Sequence, residues 1–239
     1  MQIVCHRAAN NIAVLRDLCL TADHRSRFDL VEGDVMACFD GDEVDGFIMI
    51  HPVDLSPRIL RTPEGHIADR VETVQSVMGA KGIEVCTLRE VVHAVSEYGV
   101  LLHLESKVPG TFKLIAESDF EGQRDQWHKH VVAKSFHAPE LAFMADEYRR
   151  LCQCILIMKM EPTLHMLHLM KGELNLAGID VDKWMYTPDL QEHCRRTDLS
   201  LGLHSINDPD EACKWDELGI GEITTDEPRL MRKAMSAKA

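Results

Sequence analysis

The chain has 239 residues, of which 45% are apolar, and its mass is 27.0 kDa. This is enough apolar material for a buried core, and no apolar run approaches the roughly 20 residues that a membrane-spanning helix needs. Lys and Arg number 26 against 39 Asp and Glu, which gives a net charge of -13. Such a charge disfavours nucleic acid and anionic membranes as partners.

The eight cysteines are scattered along the chain, and most of them lie in apolar runs. We therefore interpret them as packing thiols and not as a disulfide framework. The N-terminus enters a strand-like run at once, without the basic and long apolar regions of a signal peptide. From both features we expect a cytoplasmic protein with no integral membrane contact.

Short β-branched apolar runs alternate with segments of helical period, as in βα units around a parallel sheet. The predicted strands lie at 3–5, 29–35, 46–50, 100–105, 131–136, 154–160, near Ile179, 199–206 and 222–225. An Asp40-Gly41 turn joins the second and third runs as a hairpin. Counting this hairpin as one position leaves about eight strands, which favours a (β/α)8 TIM barrel formed by a single domain over 1–239.

Helices are predicted between these runs, among them 8–22, 138–151 and 163–173. Three further helices are indicated by start signals, which are a capping box at Thr87 and Glu90 and N-cap pairs at Thr187-Pro188 and Asp208-Pro209. Residues 52–86 contain several prolines and are predicted to form a small irregular insertion after the second strand region. The Gly-x-Gly-x-x-Gly turn of an open dinucleotide-binding sheet does not occur in the sequence.

Polar residues that end the apolar runs are the candidates for function, because TIM-barrel active sites lie at the carboxyl ends of the strands. Glu32 and Asp34 project to one face of their run, and Glu105 and Lys107 do the same on theirs. Neighbouring carboxylates need a counter-charge, and the acids Glu32, Asp34 and Glu105 suit one hard divalent cation, Mg²⁺ or Ca²⁺. The alternative is that these acids are rim residues paired with Arg7 and Lys107.

Two histidines, His6 and His51, also follow apolar runs. A pair of imidazoles beside a cation suits general acid–base chemistry, in which one ring takes a proton and the other delivers one. Arg7 and Lys107 are placed to hold an anionic substrate group, Arg by its planar fork and Lys as a point charge. Lys134, inside an apolar run, is interpreted either as an anion contact in the barrel lumen or as a salt-bridged or snorkelling residue.

Several segments in chain order resemble the glycerophosphodiester phosphodiesterase family: IVCHRA, VEGDV with the following DG turn, IMIHP, TLREVV, HLESK, KSF and HSINDPDEACKWDELGIGEITTDEP. The resemblance covers most of the chain and is weakest at 52–86 and 160–198. It implies a TIM barrel that uses a divalent cation to hydrolyse a small-molecule glycerophosphodiester to glycerol 3-phosphate and an alcohol. It also implies roles for seven residues: His6 and His51 as acid and base, Glu32, Asp34 and Glu105 as metal ligands, and Arg7 and Lys107 as phosphate contacts.

The sequence departs from the family pattern at several positions. Ala8 stands where glycine is usual, and the first loop near 10–12 is shortened and lacks the usual acidic residue. Pro52 stands where Asp is usual, and His204 replaces an aromatic residue. These departures predict an atypical substrate. Two alternatives follow, a phosphodiesterase for another small diester, such as a sugar phosphodiester or a lysophospholipid, and a barrel that binds phosphorylated ligands without turnover.

Overall fold

The computed structural model of the protein describes residues 1–20, 29–118, 127, 129–148 and 153–238. Ten strands of this part of the chain belong to one sheet. They are β1 (Gln2–Cys5), β2 (Leu30–Asp40), β3 (Glu43–Met49), β4 (Cys86–Thr87), β5 (Leu101–Ser106), β6 (Val131–Ser135), β7 (Gln153–Met158), β8 (Leu176–Asp182), β9 (Ser200–His204) and β10 (Glu222–Thr225).

Eight of these strands are parallel and close into a barrel. Going round it, the order is β1, β2, β5, β6, β7, β8, β9 and β10, and β1 pairs with both β2 and β10, so the ring has no free edge. The two remaining strands, β3 and β4, extend antiparallel from β2 outside the ring. The predicted TIM barrel is therefore confirmed, with the second and third apolar runs occupying one barrel position.

The helices alternate with the barrel strands. They are α1 (Ile12–Leu20), α2 (Val71–Gly79), α3 (Leu88–Tyr98), α4 (Thr111–Glu117), α5 (Ala138–Tyr148), α6 (Leu164–Leu174), α7 (Pro188–Thr197), α8 (Pro209–Glu217) and α9 (Pro228–Lys238), with short 3₁₀ helices at Ala8–Asn10 and Lys183–Met185. The carboxyl ends predicted for the helices at 8–22 and 138–151 lie outside the described residues. Within the described residues, no helix has the length and apolar character that crossing a membrane requires.

Helix α3 shows how the local sequence starts a helix and fixes its buried face. The Thr87 hydroxyl accepts a bond from the Glu90 N–H at 3.2 Å, and the Glu90 carboxylate accepts one from the Thr87 N–H at 2.7 Å. This capping box satisfies N–H groups that the first turn leaves without intrahelical partners. Leu88, Val91 and Val95 then recur at helical spacing and are fully buried against the barrel.

The hairpin of β2 and β3 turns where the sequence predicted it. Asp40 pairs with Glu43, and Gly41 between them has a φ of 62°, which glycine adopts without steric cost. The neighbouring insertion at 52–86 was predicted to be irregular, and this is wrong for α2. Val71 and Val74 have helical spacing there and pack on the hairpin in a small second core.

Candidate active site

Three carboxylates meet where β2 and β5 lie side by side. Asp34 pairs directly with Glu105 across the two strands, and Glu32 lies two residues earlier on the same face of β2. One carboxylate oxygen from each of the three residues lies within 4.8 Å of the others. All three side chains are almost completely buried, with exposed fractions of 1%, 0% and 5% for Glu32, Asp34 and Glu105. Glu32 and Asp34 therefore share one face of β2 and lie close to Glu105, as predicted.

Glu32 differs from the other two acids in having no ion pair with a basic side chain of the described residues. Its Oε1 is buried and accepts no hydrogen bond from the described residues. Burial, followed by repulsion from Asp34 and Glu105, raises the pKa of Glu32 to about 8. An unpartnered buried oxygen among three carboxylates fits the ligand set of an oxygen-seeking divalent cation.

Lys107 and Arg7 reach the other two acids. The Lys107 ammonium forms a close ion pair with Glu105 and lies 3.1 Å from Asp34 Oδ1. Burial alone would lower the pKa of Lys107, but the two carboxylates outweigh burial and raise it. Arg7 Nε lies 3.7 Å from Asp34 Oδ2. The alternative interpretation from the sequence was that the three acids pair with Arg7 and Lys107. Such ion pairs exist for Asp34 and Glu105, but they do not explain why Glu32 is buried without one.

The loop after β1 holds both acids of β2. Arg7 has a left-handed φ of 53°, and its N–H donates to Glu32 Oε2 at 2.7 Å. Asn10 contacts Asp34 twice, since its Nδ2 donates to Oδ2 at 2.7 Å and its Oδ1 accepts from the Asp34 N–H at 2.7 Å. The sequence analysis missed this role of Asn10, whose only signal was its place in the shortened first loop.

The two predicted histidines each engage the protein through Nδ1. His6 Nδ1 lies 2.7 Å from Asp226 Oδ1, and Asn207 Nδ2 donates to the other oxygen of Asp226 at 2.7 Å. His51 Nδ1 accepts from the Val53 N–H at 3.2 Å. In both rings Nε2 is therefore the nitrogen left for a substrate. Asp226 lies in the quoted TTDEP segment, but the sequence analysis gave it no role.

A cavity of about 80 Å³ opens among the carboxyl ends of the barrel strands. It is lined by His6, Glu32, Glu105, Lys107, Lys134, Phe136, Ile157, Asp180, His204, Ser205 and Thr224. Four of the seven predicted site residues line this cavity directly. Arg7 and Asp34 do not line the cavity but contact residues that do, since the Arg7 N–H bonds to Glu32 and Asp34 pairs with Lys107.

His51 does not line the cavity but lies within electrostatic reach of its residues. Burial lowers the pKa of His51, Asp34 acts in the opposite direction, and the positive charges of Arg7 and Lys107 lower it further. The structure thus groups His51 with Asp34, Arg7 and Lys107 at one end of the barrel.

The cavity is also lined by a second polar group, formed by Lys134, Asp180 and His204, in which Lys134 is the cross-strand neighbour of Glu105. Lys134 and Asp180 form a buried ion pair, and His204 Nδ1 lies 3.0 Å from Asp180 Oδ1. Of the interpretations of Lys134, the salt bridge is confirmed. Asp180 was not identified from the sequence, because it lies in the weakest of the predicted strands.

Comparison with protein-family models and with curated proteins found no match. Solved structures do match over nearly the whole chain. A phosphodiesterase from Oleispira antarctica, in complex with the product sn-glycerol-3-phosphate, is 19% identical, with 99% of this chain and 97% of that chain covered and a TM-score of 0.77. The chain has the fold of the glycerophosphodiester phosphodiesterases.

Two further structures carry that name. The enzyme from Parabacteroides distasonis is 15% identical over 99% of this chain and 97% of its own, with a TM-score of 0.76. The enzyme from Thermotoga maritima is 16% identical over 98% of this chain and 97% of its own, with a TM-score of 0.69. At such identities the similarity establishes the fold, while the chemistry has to be argued from the residues of the site.

Proposed function

We propose that this chain is a metal-dependent glycerophosphodiester phosphodiesterase, which hydrolyses a small glycerophosphodiester to glycerol 3-phosphate and an alcohol. The observation that carries the proposal is the cluster of Glu32, Asp34 and Glu105, two of which line one cavity with His6, together with the unpartnered buried oxygen of Glu32. The names of the structural neighbours and the resemblance in the sequence support the same reaction. We also propose that residues 1–239 act as a single catalytic domain.

The proposed cofactor is one Mg²⁺ or Ca²⁺ ion held by Glu32, Asp34 and Glu105. Hard divalent cations prefer carboxylate oxygens, and the described cluster contains no thiolate or imidazole that would favour zinc. When bound, the ion would stabilise negative charge on the phosphate. Asn10 and the Arg7 backbone N–H would keep the carboxylates of Asp34 and Glu32 in place.

Two cationic side chains are proposed to bind the phosphate group. The Lys107 side chain lines the cavity and is 17% exposed, so its ammonium can meet an anion that enters. The Arg7 side chain is 36% exposed beside Asp34, and its guanidinium can present a planar pair of donors. Both side chains contact carboxylates of the proposed ion site, so they lie beside the place where the phosphate would bind.

The two histidines are proposed to move the protons. Attack by water forms one P–O bond and breaks the P–O bond to the alcohol. Attack by a substrate hydroxyl would instead release the alcohol with a cyclic phosphate, whose ring P–O bond a water would then break to give glycerol 3-phosphate. One imidazole Nε2 would take the proton of the attacking oxygen, and the other ring would return a proton to the departing oxygen. Asp226 fixes the orientation of His6, and burial keeps His51 in its neutral form more readily than a histidine in water.

The proposed partner is a small-molecule phosphodiester in a cytoplasmic setting. Six cysteines of the described residues are free, buried thiols, which supports a reducing compartment: Cys5, Cys19, Cys38, Cys86, Cys194 and Cys213. The net charge of -13 still predicts that nucleic acid is not a partner.

Hydrolysis assays on a panel of glycerophosphodiesters with Mg²⁺, with Ca²⁺ and with a chelator test the proposal. We expect turnover that the chelator abolishes, and losses of about 10²–10⁴-fold in Asp34→Asn and His6→Ala. Asp42→Asn and His168→Ala are matched controls at exposed positions outside the site. Full activity in Asp34→Asn would refute the proposed site.

The two alternatives predict different outcomes in the same assays. Turnover of sugar diesters or lysophospholipids alone would favour the first alternative. Binding of glycerol 3-phosphate with no hydrolysis of any diester would indicate a non-catalytic barrel.

A further inference from the structure

The side chains of Lys134, Asp180 and His204 line the cavity and have no role in the proposed ion binding or proton transfer, although Lys134 lies beside Glu105. Lys134 comes from β6, Asp180 from β8 and His204 from the end of β9, and all three line the same cavity as His6 and Glu105. The first two are 2% and 1% exposed, whereas the His204 side chain is 25% exposed. His204 is thus the member of the group that meets a ligand.

Asp180 determines which nitrogen of His204 is free. Burial opposes ionisation of Asp180, but its contacts with Lys134 and His204 outweigh burial and hold its pKa below the usual range. The ionised carboxylate accepts the Nδ1–H of His204 at 3.0 Å. With Nδ1 engaged by Asp180, Nε2 is the His204 nitrogen that faces a ligand, and in the neutral ring it is a hydrogen-bond acceptor.

The backbone is strained at the residue that follows His204. Ser205 also lines the cavity and has a φ of 62°, a left-handed conformation that costs energy for a residue other than glycine. Barrel lumens are normally filled by branched apolar side chains, and a buried ion pair rarely adds stability over such packing. Asp180 of the Lys134–Asp180 pair orients the His204 ring, while the charge of Lys134 also acts on the buried Glu222, Glu105 and Glu32.

The ring of Phe136, which also lines the cavity, is poorly placed to bind the quaternary ammonium group of a choline diester. Among the lining residues, Phe136 offers the benzene ring, and Lys159 Nζ and Lys107 Nζ lie 4.9 Å and 5.7 Å from its centroid. A quaternary ammonium group would have to compete with these two charges for the ring. The cavity therefore offers His204 as a partner for a hydroxyl, whereas the Phe136 ring is already contacted by two ammonium groups.

We infer that His204, positioned by the buried Asp180–Lys134 pair, accepts a hydrogen bond from a hydroxyl of the substrate's alcohol moiety. The protein then prefers diesters of a polyol, such as the diester of two glycerols, over diesters of choline. This inference rests on the proposed function and specifies the substrate class of the same site. His204 is a specificity residue in this scheme, and Asp180 is a positioning residue.

The first test measures kcat/KM for glycerophosphoglycerol and for glycerophosphocholine in the unmodified protein. We expect the polyol diester to be favoured by about five- to tenfold, the effect of one hydrogen bond that choline cannot form. A ratio near one, or a preference for choline, would overturn the inference while leaving the proposed function standing. Hydrolysis of neither diester with any divalent ion would overturn both.

The second test uses variants and compares the same ratio. His204→Phe is expected to lower kcat/KM for the polyol diester about fivefold more than for the choline diester. His204→Gln, whose amide oxygen is an acceptor, should recover part of the preference. His168→Phe, at an exposed position on α6, is the matched control and should keep the ratio. Equal losses on both substrates would contradict a role in specificity.

The third test separates positioning from a structural role of Asp180. Asp180→Asn should reduce the polyol preference, and combining it with His204→Phe should add little further loss in the ratio, because both changes remove the same contact. Additive effects on the ratio would contradict the inference. Thermal unfolding of each variant identifies any that fail to fold, and the ratio in the unmodified protein then decides.

Discussion

The side chain of Asn10 does more for the site than its place in a short loop suggests. It donates to the Asp34 carboxylate and accepts from the Asp34 N–H, so it fixes this carboxylate relative to its own backbone. Residues that orient metal ligands in this way set ligand geometry, and their loss weakens binding without removing a ligand.

Asn10→Ala is therefore expected to weaken binding of the divalent ion about 10–100-fold. Calorimetric titration of the purified protein with Mg²⁺ or Ca²⁺ measures this. The adjacent Asn11→Ala is the matched control, because Asn11 Oδ1 accepts from the N–H groups of Ala13 and Val14 and caps α1. It should cost about 1 kcal/mol of stability and leave ion affinity unchanged. Unaltered ion affinity in Asn10→Ala would contradict the assignment.

At the scale of single elements, the Glu-Gly-Asp segment of β2 explains how the strand meets the loop after β1. A Cβ on Gly33 would lie 2.7 Å from Met49 Cε, 2.8 Å from Ala9 Cβ and 3.0 Å from Asn10 Oδ1. Glycine is thus required by the close approach of the turn at Ala8–Asn10. The space that it leaves lets Asn10 reach Asp34.

Gly33→Ala is expected to cost about 1–3 kcal/mol of stability through overpacking and to lower activity, because Asn10 must move. Urea unfolding and the diester assay measure the two effects. Gly172→Ala on α6 is the control, since a Cβ there meets nothing within 4 Å. In a helix interior this change should stabilise by about 0.5–1 kcal/mol. Wild-type behaviour of Gly33→Ala would show that the turn adapts freely.

The capping box of α3 stabilises an outer helix and takes no part in the site. Thr87→Ala should lower the free energy of unfolding by about 1 kcal/mol, because an N–H of the first turn loses its acceptor. Urea unfolding checks the loss, and kcat/KM should not change. A change in kcat/KM at unchanged stability would show that α3 is coupled to the cavity.

At the scale of the whole molecule, the buried acids link stability to pH and to the divalent ion. The pKa of Glu32 is raised from its ordinary value to about 8 by burial and by the neighbouring Asp34 and Glu105. Between about pH 4.5 and about pH 8, the folded protein therefore keeps a proton that the unfolded chain has lost, and this contribution to stability falls as pH rises. A divalent ion bound to the ionised carboxylates would supply the positive charge that this proton otherwise supplies.

We therefore expect Mg²⁺ or Ca²⁺ to raise the melting temperature more at about pH 8 than at about pH 6. Calorimetric melting with and without the ion measures the difference. Glu32→Gln should remove most of the ion-induced gain at both pH values. Glu222, whose pKa burial raises to about 7, affects both states of ion loading alike and cancels in the comparison. An equal gain at both pH values would contradict the linkage.

Much of the fold followed from local patterns. The β-branched runs, the Asp40-Gly41 turn and the helix caps are short-range features, and the structure contains them where the sequence placed them. The helix α2 was missed because prolines around it masked its valine spacing. The strand-end acids and His6 were also readable, since the barrel topology carries strand ends to one side of the molecule.

The partners of those residues were decided by the tertiary structure alone. The contact of His6 with Asp226 joins residues 220 apart, and those of Asn10 with Asp34 and His204 with Asp180 each join residues 24 apart. Hydrogen bonds depend on distance and angle in space, and periodicity in the sequence carries no such information. The sequence by itself determined which chemical groups reach the mouth of the barrel. Closure of the barrel decided which of them pair and which oxygen of Glu32 stays free.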